Sequence, residues 1–171
     1  MDTTIISGSE EVAQRLYETE AKKVIKKYTL IATAAGVVPI PVISTAGVIA
    51  AQVFMVRELT QQFNIPFDED RASVIINSAI GGVLSKVFAM TVDAVVPGSG
   101  VAGIDLSSGA ISGIYTATVG EFYKVHFQKG GTLENASIGD LGNYFMEEIQ
   151  RGDIGLNSIT NPTQFMKSLV V

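Results

Sequence analysis

From Thr29 to Val56 the chain carries no ionisable side chain, and Pro39-Ile40-Pro41 stands in the middle of that run. A stretch of this length resembles a single transmembrane helix, which needs about 20 apolar residues. The two prolines rule against it. Each lacks an N–H and drives the residue before it out of the helical region, so a pair one residue apart ends a helix. The run is therefore two apolar arms meeting at a turn, each too short to cross a bilayer alone. The first arm continues a helix to about Val38. The second runs from about Val42 through Gln52, Arg57 and Glu58 to Phe63. A buried or re-entrant hairpin is the expectation.

The helix feeding this hairpin starts at Ser7 or Ser9, where Glu10 and Glu11 suit the positive end of the dipole. Ala13, Leu16, Tyr17, Ala21, Val24, Ile25 and Tyr28 recur at helical spacing and predict its buried face. Asn64-Ile65-Pro66-Phe67-Asp68 is the next break, and Asp68, Glu69 and Asp70 cap a third helix over about Arg71 to Val95. Pro97-Gly98-Ser99-Gly100 ends it. A fourth helix runs from about Val101 or Ile104 to Gln128 and stops at Lys129-Gly130-Gly131. Val37-Val38-Pro39 and Val95-Val96-Pro97 close their helices alike, and each is followed by a helix rich in small residues. This pattern predicts a repeated helical hairpin.

Ser137 with Asp140 opens a fifth helix carrying Leu141, Tyr144, Phe145 and Ile149 on one face and ending at Gly152. Asn161-Pro162 opens a short last helix through Leu169. The fold expected is all-α. Two packed, glycine-rich apolar hairpins form a four-helix core over residues 22–130, with one or two C-terminal helices over 132–171, in a single domain spanning 1–171.

Charged residues make up 17% of the chain against about a quarter in most soluble domains, and the mean hydropathy is +0.34. Such a chain packs very efficiently, self-associates or meets a membrane. A net charge of −5 gives no overall positive field for nucleic acid. With no cysteine there is neither a disulfide framework nor a thiolate metal site. Met1-Asp2-Thr3-Thr4 lacks the basic and apolar regions of a secretory leader, so cytoplasmic residence is expected, with the inner face of the membrane as a candidate location.

Each candidate site has a plainer structural reading beside it. Gly98-Ser99-Gly100-Val101-Ala102-Gly103 has the letters of a dinucleotide fingerprint but neither the preceding strand nor the alternating strands and helices the motif needs, so it reads as a turn. Gly109 and Gly113 stand four apart, Gly47 follows Ala46, and Ser78 precedes Gly82 by four. Glycine inside a helix costs about 1 kcal/mol relative to alanine. Its repeated use, with Gly36, marks close helix crossings in a membrane or in a tight soluble bundle. Lys22, Lys23, Lys26 and Lys27 stand just before the uncharged hairpin and, with Pro39, Ile40 and Pro41 at its tip, are candidates for membrane or partner contact. A solvated face balanced by Glu10, Glu11, Glu18 and Glu20 is the plainer account of the lysines. His126 has no companion cysteine and fits a surface or capping role near a helix end. Asp93 and Asp105 flank the second turn, where capping suits them better than an ion role. No catalytic, cofactor or metal residue is assigned.

Thr33-Ala34-Ala35-Gly36-Val37-Val38-Pro39-Ile40-Pro41, followed by Gln52-Val53-Phe54-Met55 and Phe63-Asn64-Ile65-Pro66-Phe67, resembles a bacterial family, the DUF697 group. Val95-Val96-Pro97-Gly98-Ser99-Gly100 adds to the likeness, which covers roughly Lys22 to Gly130. Members are often attached to, or encoded beside, Era-like GTPases. The resemblance implies a helical module, often membrane-associated, that sometimes acts with a GTPase. This chain has no G-x-x-x-x-G-K-[ST] loop, so nucleotide hydrolysis would belong to a partner in trans. The expected function is a non-enzymatic interaction or scaffold module whose hairpins contact a membrane, a second copy or a GTPase. The alternative is a membrane-active protein that inserts its hairpins as a pore or anchor.

Overall fold

The computed structural model describes residues 3–39, 41–79 and 108–151. Among these there is helix and no strand. The elements are α1 (Thr3–Gly36), α2 (Pro41–Gln62), α3 (described over residues 69–79), α4 (Ser108–Gln128) and α5 (Ile138–Arg151). The second interhelical turn, Gly82, Asp93, Asp105 and the last expected helix lie outside the described residues, as does Ile40.

The expected stops hold. Helix α1 ends at Gly36, and α2 begins on Pro41, where a missing N–H costs nothing. At the other end of α2, Ile65 N–H donates to Thr60 O at 2.9 Å and Asn64 N–H to Gln61 O at 3.3 Å, with Asn64 at φ 53°. That is a Schellman closure with asparagine in the left-handed position. Helix α4 ends the same way through Gly131 N–H to His126 O and Gly130 N–H to Phe127 O, with Gly130 at φ 81°. Asp68 Oδ1 accepts the Arg71 amide at the start of α3. Ser137 Oγ accepts the Asp140 amide at the start of α5, as the capping pattern predicts.

Helix α1 starts earlier than expected, at Thr3, and its N-terminal half does not bury the predicted face. Leu16 and Tyr17 are exposed, and Tyr17 stacks on Phe63 instead. The reason is length. At 34 residues α1 outruns the 22 of α2 and the 21 of α4, and among the described residues neither helix covers Leu16. From Ala21 onward the predicted face is correct.

Helices α1 and α2 are antiparallel, with Lys27 paired to Glu58 near one end and Ala35 against Gly47 near the other. Helix α4 lies antiparallel to α1, its Gly109 against Thr33 and Val37 and its Gly120 against Ile25. The core has two parts. The larger one gathers Val24, Ile25, Met55, Leu59, Ile76, Phe122, Tyr123, Phe127, Leu133, Leu141 and Phe145 from all five helices and the loop before α5. Each such side chain stabilises by about 1.5–3 kcal/mol when fully buried. A separate small cluster of Ala32, Val48 and Ala51 lies between α1 and α2 toward their turn.

Candidate functional site

Charge is partitioned along the bundle. Residues 28–39 of α1 and its turn, 41–56 of α2, 72–79 of α3 and 108–120 of α4 contain no Asp, Glu, Lys, Arg or His. The charges begin at one level on three helices. On α1, Lys22 pairs with Glu18 at 2.7 Å. Between helices, Lys27 pairs with Glu58. On α4, Lys124 pairs with Glu121. Glu18 holds the Lys22 ammonium above its ordinary range, and the Lys22 hydrogen bond in turn draws the Glu18 carboxyl below its own. The Glu58 carboxylate does the same for Lys27. Burial, with the Glu58 side chain beside it, raises the Tyr28 phenol. On the described residues of α1, α2 and α4 this belt separates a charged end from an uncharged end.

Of the expected contact residues, Lys22 and Lys27 stand in the belt and Lys23 pairs with Glu20 at 2.7 Å. Lys26 is half-buried and has no ion pair among the described residues. Three of the four lysines therefore already hold carboxylates, Glu18 and Glu20 of the same helix and Glu58 of α2. Pro39 is exposed at the tip beside Pro41, the first residue of α2. Gly36 and Gly113 are buried. A Cβ on Gly47 would lie 3.1 Å from Ala35 Cβ, and one on Gly109 would lie 2.7 Å from Thr33 O, so both glycines mark close crossings.

The uncharged end is not sealed by its own packing. Ile31 is 46% exposed, Phe54 53% and Val37 63%. Ala34, Val38, Pro39, Ala46 and Ala50 are exposed beside them. Spacing alone could not reveal this surface, since an uncharged helix offers no polar face to contrast with the buried one.

Inside the same end, beside buried Met55, Ile114 and Tyr115, runs a polar seam. Gln52 Nε2 donates to Thr116 Oγ1 at 3.0 Å, with neither residue exposed. Thr33 Oγ1 donates to Thr29 O, and Thr118 Oγ1 to Ile114 O. Gln52 Oε1 and Thr29 Oγ1 are buried without a hydrogen-bond partner. Sequence reasoning missed this seam, although Gln52 is the one side-chain amide within Thr29–Val56.

His126 is half-buried and stacks on Phe122. Its Nε2 lies 2.9 Å from Asn135 Oδ1 and 3.0 Å from Thr132 O. Both partners are acceptors, so Nε2 carries the proton and fastens the loop before α5. Among the described residues no three His, Asp or Glu side chains gather as a metal site. No helix among them is long and apolar enough to cross a membrane.

An all-α module with helices packed against one another is thus the class the fold defines. The family model for the domain of unknown function DUF697 matches residues 2–151, and the chain belongs to that family. It is also 29% identical over 136 residues to a protein named magnetosome membrane protein 22 from Magnetospirillum gryphiswaldense, an alignment covering 77% of this chain and 70% of the relative. No solved structure matches.

Proposed function

We propose that this protein is a non-enzymatic helical module that sits against a membrane by the uncharged end of its bundle. The observation that carries the reading is the charge partition along α1, α2 and α4, with Ile31, Val37 and Phe54 exposed on those of their described stretches that bear no charge. Moving these three side chains out of water is favourable by about 3–5 kcal/mol in total. Paired charges at the belt suit the headgroup region, where hydrated ions and apolar stems are both accommodated. The printed name of the magnetosome relative, a membrane protein, supports the same setting. Self-association through the same face is the competing occupant. No helix among the described residues is long and apolar enough to span, so they lend the pore reading no support.

Flotation of the native chain with phosphatidylcholine–phosphatidylglycerol vesicles tests the proposal. Co-flotation that Phe54→Glu with Val37→Glu abolishes is the expected result. A chain that stays at the bottom of the gradient, or a dimer by light scattering that vesicles leave intact, would overturn it.

A further inference from the structure

We infer that the uncharged end enters one leaflet as a closed bundle, without separating its hairpins, and that the Gln52–Thr116 bond holds it closed there. The inference rests on the membrane reading above and says how that contact is made.

Helices associate in water because apolar side chains leave it, and that force vanishes when the surroundings are acyl chains. What remains is close backbone approach and interhelical hydrogen bonding. Large side chains such as Phe122, Phe127 and Leu133 hold the charged end, and Met55, Ile76, Tyr115 and Phe145 carry the same core into the uncharged stretches. At the uncharged end, Gly47 meets Ala35 and Gly109 meets Thr33. Ala32, Val48 and Ala51 fill the gap, and Gln52 bonds Thr116.

The polar seam decides the direction of the equilibrium. Opened in water, Gln52, Thr116 and Thr29 would find solvent partners. Opened in lipid, they would face hydrocarbon with none, a cost that keeps unpaired polar groups out of that region. For these groups lipid opposes opening more strongly than water does. Depth agrees with a one-sided contact. Glu58 lies seventeen residues after Pro41, about 25 Å along a helix, and Gly36 nine after Lys27, about 14 Å. Both fall short of the roughly 30 Å hydrocarbon thickness.

The chain has no cysteine, so spin labels can be placed on Ala50→Cys and Asn77→Cys, two exposed positions on α2 and α3. A narrow inter-label distance in buffer that is unchanged on phosphatidylcholine–phosphatidylglycerol vesicles is the expected result. A distance that lengthens or broadens on the vesicles, with binding intact, would overturn the inference while leaving the membrane reading in place. The same labels in Gln52→Leu with Thr116→Val should stay narrow in buffer and broaden on vesicles. A distribution that stays narrow there would remove the bond from its role. Failure of the parent chain to bind vesicles would overturn both readings.

Discussion

Gln52 of α2 and Thr116 of α4 meet at 3.0 Å, sixty-four residues apart in sequence and both shielded from solvent. The amide oxygen of Gln52 has no partner in the same enclosure. A buried polar pair of this kind is costly to break and inexpensive to replace as a whole. Gln52→Ala, which orphans Thr116 and leaves a cavity, should destabilise by about 2–4 kcal/mol in urea titrations. The double variant Gln52→Leu with Thr116→Val should fall within about 1 kcal/mol of the parent in water.

Three glycines should respond differently to alanine. At Gly109 the new Cβ would stand 2.7 Å from the Thr33 carbonyl oxygen and 2.6 Å from Val37 Cγ2. Backbone cannot yield cheaply, so a loss of about 2–3 kcal/mol is expected. At Gly120 the obstacles are Ile25 Cγ1 at 2.8 Å and Met55 Sδ at 3.0 Å, side chains that can shift, and about 1–2 kcal/mol should be lost. Gly142 in α5 has nothing within 4 Å, so alanine there should stabilise by about 0.5–1 kcal/mol. Thermal unfolding of the three variants gives the order directly.

Arg71, like His126, fastens the loop before α5. Its Nε donates to Leu133 O at 2.8 Å and its Nη2 to Glu134 O. Arg71→Met keeps the stem and removes both bonds, which should cost about 1–2 kcal/mol. The Thr132 and Ala136 amides should then exchange roughly tenfold faster. Arg71→Lys should not restore them, since an ammonium cannot fork across two adjacent carbonyls.

The belt makes a pH prediction. Glu18 is drawn below its ordinary value near 4.5 by the Lys22 hydrogen bond. Its stabilising contribution is therefore present above 4.5 and lost as pH falls through the lower, folded value. At neutral pH, Glu18→Gln removes the nearest carboxylate from Lys22, leaving Glu121, and should tighten binding to phosphatidylglycerol vesicles by about fivefold. Well below pH 4.5 the parent's Glu18 is protonated too, and the two proteins should bind alike. Equal binding at neutral pH would show that the belt lies away from the headgroups.

The helix ends were legible because they rest on local chemistry. Pro39 and Pro41 place the first turn, Asn64 and Gly130 supply the left-handed closures, and Asp68 and Ser137 cap α3 and α5. The exposed surface was not legible, because Ile31, which faces out, and Ala32, which is buried, stand side by side in a run without charge. Leu16 misled for the opposite reason, as its periodicity was helical but no helix among the described residues covers it. The lysine row was visible as a cluster, yet its pairing depends on Glu58, which lies thirty-one residues from Lys27 and is brought close only by the hairpin.

The central claim is that the uncharged end meets lipid, and one substitution tests it most directly. The chain has no tryptophan, so Phe54→Trp gives a single reporter at an exposed position of that end. On phosphatidylcholine–phosphatidylglycerol vesicles the account predicts a blue-shifted emission, quenching by acyl-brominated lipid and shielding from aqueous iodide. An emission that keeps its aqueous maximum and its full iodide quenching while the protein is bound to the vesicles would contradict it.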